Sequence, residues 1–189
     1  MGRMQSETGG LMTKKMTVLL ALTMILTTGI ARPVVLFAQQ NEKIAPRQAF
    51  SLLKELAGEW RGRVMDGEQG PEVTVLYRVT ANGSAVLETL FPGTSHEMLT
   101  VYFMDGEKLA LTHYCAMGNQ PRMVLDPGST GRQLVFIFTG GSNLDPAQDI
   151  HMHSGRMTRT AVDCLEHERD TFGKGQKIDT KKFFLKRVK

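Results

Sequence analysis

The chain has 189 residues, 41% of them hydrophobic, 22% charged and 7% aromatic, the profile of a globular protein and not of a disordered or fibrous one. The formal charge of +4 would suit a polyanionic partner, but Arg3, Lys14, Lys15 and Arg32 face only Glu7 among the first 38 residues, which leaves +1 on the rest. A nearly neutral domain needs no nucleic acid.

The chain opens like a secretory leader. Lys14 and Lys15 precede the apolar run from Met16 to Leu26, and Leu36-Phe37-Ala38 ends on a small residue before Gln39. Cleavage after Ala38 is expected, giving a periplasmic or secreted protein. The run is broken by Thr27, Thr28, Gly29 and Arg32, too soon for the roughly 20 residues of a membrane span. No cysteine follows it to carry a lipid, so no stable membrane anchor is expected after cleavage. Residues 39–46 read as a short linker and 47–189 as one domain, long enough for a single core.

Pro46 suits a first helical position, and Phe50, Leu53 and Ala57 recur at helical spacing with Leu52 and Leu56 beside them, so a helix is predicted from Pro46 to Ala57, stopped by Gly58. After Gly58 the period changes to two. Ten strands are predicted, near 60–66, 72–81, 84–92, 96–104, 107–116, 120–126, 132–139, 150–158, 161–171 and 181–188, separated by turn residues. Short connections make neighbours antiparallel, and closure removes the exposed edges. The fold class is therefore all-β: a closed antiparallel meander barrel of about ten strands with a short N-terminal helix.

Asn82-Gly83 and Asp105-Gly106 are both type I′ turn dipeptides. The first pairs Val79 with Val86, Tyr77 with Glu88 and Val75 with Leu90, on the more apolar face. The second pairs Tyr102 with Leu109, Thr100 with Leu111, Met98 with His113 and His96 with Cys115. Which face of this second hairpin points inward is left open by the pattern.

Gly58-Glu59-Trp60 opening the first strand, with Phe184-Leu185-Lys186-Arg187-Val188 closing the last, resembles the calycin superfamily. The resemblance implies that Trp60 plugs one barrel end and Arg187 stacks over its ring, a large lid held by cation–π attraction. The stretches Ala85 to Met98 and Leu111 to Met123 resemble exported bacterial proteins of the uncharacterised DUF1579 group. The strand count is also similar to the nitrobindins, a resemblance of architecture that implies haem bound through a histidine.

Glu88 shares its face with Val79, Val86 and Leu90, where a carboxylate needs a partner. It is either a ligand-facing acid or bonded to Tyr77 or Arg122. His96, His113 and Cys115 fall on one face of the second hairpin, with Met98 and Tyr102 on it as well. His151 and His153 form an HxH on a strand, with Ile150 and Met152 on the other side. If that apolar side faces inward, both histidines face solvent. His96, His113, His151 and His153 are the candidate ligands of a divalent metal or haem, against a reading of ordinary hydrogen-bonded barrel residues.

No nucleophile triad, paired-carboxylate motif or nucleotide loop is present, which weighs against an enzyme. The sequence reads as an exported barrel binding a small, partly apolar molecule, with Tyr77, Glu88, His96, Met98, Tyr102 and His113 lining the cavity and Trp60 with Arg187 as structural closure. The alternatives are a haem- or metal-binding barrel with redox or enzymatic activity, and a structural or interaction module.

Overall fold

The structure is a computed structural model and describes residues 42–65 and 70–188. The leader expected over residues 1–38 lies outside the described residues. Helix α1 (Pro46–Lys54) precedes ten strands: β1 (Gly58–Met65), β2 (Glu72–Thr80), β3 (Ala85–Leu90), β4 (Met98–Asp105), β5 (Lys108–Tyr114), β6 (Gln120–Leu125), β7 (Gln133–Ser142), β8 (His151–Ala161), β9 (Cys164–Gly173) and β10 (Gln176–Arg187). Each pairs antiparallel with its sequence neighbour, and β10 returns to β1, so the meander closes into a barrel. Alternation sends Trp60, Val75, Tyr77, Val86, Glu88, Tyr102, Leu111, Phe136, Leu165 and Leu185 into the interior, all buried.

Helix α1 packs over one end. Ala49, Phe50, Leu53 and Leu56 join the core there. The helix stops at Lys54, before the Ala57 expected from its periodicity. The carbonyls beyond it have other donors: Trp60 Nε1 donates to Leu56 O at 2.8 Å, and Arg187 donates to Ala57 O and Glu55 O, both at 2.7 Å. Trp60 and Arg187 are cross-strand neighbours in β1 and β10, and the guanidinium carbon lies 4.4 Å from the indole centroid, within cation–π range.

The first hairpin keeps its expected register, Val79↔Val86, Tyr77↔Glu88 and Val75↔Leu90, through a different turn. The ladder ends at Thr80↔Ala85, and Ala81, Asn82 and Gly83 all have positive φ. Both the amide and the hydroxyl of Ser84 donate to Ala81 O, closing a four-residue loop instead of a two-residue one.

The second hairpin corrects its expected register by two residues. Asp105 pairs with Lys108, Tyr102 with Leu111 and Thr100 with His113, so His96 does not face Cys115. Gly106 has φ 58° while Glu107 does not turn positive, the pattern of a type II′ turn with glycine first. A shift of two preserves the faces. The side carrying Thr100, Tyr102, Leu111 and His113 is the inner one.

Two local features shape the wall. Gly62 sits where β1 meets β10, and a Cβ there would run into the Phe184 carbonyl. Gly62→Ala is therefore expected to cost about 1–3 kcal/mol in urea denaturation, and an unchanged midpoint would contradict this contact. Between β7 and β8 the ladder covers only Gln133↔Thr158 to Ile137↔Ser154, and β8 bulges between Met152 and Ser154. Past that ladder the seam is filled by rings: His153 stacks on Phe172 at 3.8 Å and on Phe138 at 4.7 Å.

Candidate functional site

The end of the barrel covered by α1 is filled, with Tyr102 tilted against Phe136 at 5.5 Å above the Trp60 layer. The other end is open inside. A cavity of about 670 Å³ lies there, within the size range of small-molecule pockets. Val64, Leu90, Met98, Met152 and Phe183 give it apolar walls, and Arg169 and His113 give it a polar floor. Its rim is formed by the strand ends and loops around Pro71, Phe91, His96, Met117 and Ile150.

A buried polar network lies below that floor. Arg169, inward-facing on β9, crosses the barrel to Glu88 on β3, pairing Nη2 with Oε1. The Tyr102 hydroxyl donates to the other carboxylate oxygen, Oε2, at 2.6 Å. Burial, the largest influence, raises the Glu88 pKa, but the Arg169 guanidinium, the neighbouring histidines and the Tyr102 hydrogen bond together outweigh it and hold the carboxyl below its ordinary value. Tyr77 and Tyr102 are pushed up, by burial first and then by the Glu88 charge. The Tyr77 hydroxyl is buried close to Glu88 but makes no well-formed hydrogen bond among the described residues. His113 and His167 are both lowered to about 3, by burial and then by Arg169. At neutral pH the network thus holds one cation, one anion and two neutral imidazoles.

The sequence-predicted residues separate into three places. Met98 and His113 line the cavity, and His96 stands exposed on its rim. His113 Nδ1 lies 3.0 Å from the buried Thr100 Oγ1. Tyr77, Glu88 and Tyr102, expected to line the cavity, lie beneath it in the core and are not part of its surface. The partner of Glu88 is Arg169, not Arg122, which is exposed. Trp60 and Arg187 lie at the helix-covered end.

The HxH pair differs from its expected solvent exposure. His151 is buried and reaches the cavity wall, because the bulge and the unpaired seam let Met152 and His151 both approach it. Its Nδ1 donates to Asp149 O at 2.9 Å, since a carbonyl oxygen can only accept, and its Nε2 lies 3.0 Å from His153 Nδ1. The four candidate histidines do not converge: among the described residues no three His, Cys, Asp or Glu side chains are placed to hold a metal ion. Cys115 lies on the cavity side and Cys164 opens β9, and both are free thiols.

Sequence reasoning missed Arg169 and His167. The one signal was that a buried Glu88 requires a cation; the alternation of Leu165, His167, Arg169 and Thr171 on β9 does not stand out, because Glu166, Glu168 and Asp170 make the other face polar as well.

The sequence matches no family profile and no curated protein. Among solved structures, a protein of unknown function from the DUF3598 family of Nostoc punctiforme aligns with a TM-score of 0.50 at 12% identity, over 79% of this chain and 51% of that one. The chain spans about half the length of that protein. The likeness is one of fold: a closed antiparallel barrel.

Proposed function

We propose that this is an exported, calycin-like barrel of the DUF1579 type that binds a small, largely apolar molecule inside its open end. The observation that carries the reading is the cavity of about 670 Å³, walled by aliphatic, thioether and aromatic side chains over a floor whose charges already pair with each other. A site that buries apolar surface while offering a few fixed polar atoms is the usual form of a small-molecule pocket. One observation favours haem as a second reading: His113 is held neutral, reaches the cavity, and has no partner for its Nε2 among the described residues. A neutral imidazole in that state can act as an axial ligand.

Protein purified from its own host compartment and measured by native mass spectrometry and optical absorption separates the readings. A bound apolar mass without a Soret band is expected. A Soret band would assign haem instead, and an apoprotein mass alone would leave an interaction module. The same material tests export: N-terminal sequencing is expected to start at Gln39 or within a few residues of it, whereas retention of Met12 or Met16 on a membrane fraction would contradict cleavage.

A further inference from the structure

The charges around the cavity restrict what kind of head group can enter it. Three ordinarily charged side chains line it: Glu72, Arg169 and Lys181. Each already has a counter-ion. Glu72 meets Arg63 at 3.3 Å, Lys181 meets Asp179 at 3.1 Å, and Arg169 meets the fully buried Glu88. The first two pairs lie at the solvated rim, but the third is inside. Among the described lining residues the one cation inside the cavity, Arg169, is already paired in a buried contact, and Lys181, held only loosely by Asp179, stands at the solvated rim away from it.

Arg169 nevertheless has hydrogen-bonding capacity to spare. Its side chain is 7% exposed, only Nη2 has a partner among the described residues, and Nε is buried with none. Nη1 also has no partner among the described residues and, unlike Nε, is not fully buried, so it is the donor that an incoming acceptor can reach. His113, neutral beside it, adds a second polar contact without adding charge. The Phe183 ring, 5.5 Å from the guanidinium carbon, walls the same corner.

We propose, on the reading that the cavity holds a small apolar molecule, that the head of that molecule is an uncharged hydrogen-bond acceptor, a ketone, ester or amide carbonyl set against Arg169, and that carboxylates are disfavoured. A carbonyl oxygen accepts from the guanidinium and leaves the Arg169–Glu88 pair intact. A carboxylate would bring a second anion beside Glu88 to share one cation in a water-poor site, where like charges repel strongly. The apolar remainder of the molecule lies between Leu90, Met98, Met152 and Phe183.

Calorimetric titration of the purified protein at neutral pH with octanoate, methyl octanoate and the matching methyl ketone tests this. The ester and ketone are expected to bind at least about tenfold tighter than the carboxylate. Glu88→Gln removes the competing anion and is expected to raise octanoate affinity about tenfold while giving the ester no such gain. The order of the three ligands on the unaltered protein decides the matter even if that variant fails to fold. Octanoate binding as tightly as its ester would overturn the neutral-head proposal while leaving the cavity reading standing. Absence of binding by all three would overturn both.

Discussion

Replacing Trp60 with Ala is expected to remove about 3–5 kcal/mol of stability, the range for deleting a large buried aromatic. Trp60 is fully buried, its ring carries the Arg187 guanidinium, and its Nε1–H occupies the Leu56 carbonyl just beyond α1. The substitution therefore opens a void and frees a carbonyl where the helix is tied to the barrel. Trp60→Phe keeps an aromatic ring but loses the indole donor, and a smaller loss of about 1–3 kcal/mol is expected. Urea denaturation of the two variants reads the difference. Equal, negligible losses would mean that this end of the barrel does not depend on the indole.

Removing one partner of the Arg169–Glu88 pair is expected to have a comparable effect. Arg169→Met strands the Glu88 carboxylate, and Glu88→Leu strands the guanidinium, each costing about 3–5 kcal/mol, as for other buried pairs that lose one member. The double variant is expected to be more stable than either single one, because no charge is then left unpaired. A double variant no better than the sum of its parts would contradict the interaction.

The neighbouring histidines give this core a pH dependence of definite sign. His113 and His167 remain neutral in the folded barrel down to about pH 3, whereas in the unfolded chain they take up protons below their ordinary 6.5. The unfolded state binds more protons in that window, so stability falls as pH falls through it. For the two together the loss is about 2–3 kcal/mol between about pH 7 and about pH 5.5. Glu88, whose pKa is lowered on folding, contributes stability above its unfolded value and adds its own loss only at more acid pH. Denaturation midpoints for His167→Leu should show about half of the histidine slope.

The strands were legible because alternation and turn dipeptides mark them independently. Glu88 could be placed inside from sequence alone, since Val79, Val86 and Leu90 share its face. Its partner could not. On β9 the inner residues His167 and Arg169 alternate with Glu166, Glu168 and Asp170, so both faces are polar and periodicity gives no contrast. The pairing also spans 81 positions and depends on barrel closure. His151 was misplaced for another reason: a bulge resets the side-chain alternation, and the seam beyond the β7–β8 ladder admits a ring that a continuous sheet would have turned outward. The second hairpin slipped because Asp105-Gly106 was read as the two central residues, whereas Asp105 belongs to the ladder and Gly106 takes the first central position.

The cavity itself is tested most directly by filling it. Met98 lines its wall and is only half-buried, so Met98→Trp projects an indole into the space without removing a member of the Glu88 network. Binding of the apolar dye 1-anilinonaphthalene-8-sulfonate would be ambiguous because the dye is anionic, so the uncharged N-phenyl-1-naphthylamine is the probe to titrate. Saturable binding to the unaltered protein is expected, reduced at least about tenfold in Met98→Trp, with the denaturation midpoint little changed. Equal probe affinity in the two proteins would place the binding outside the barrel and contradict the account.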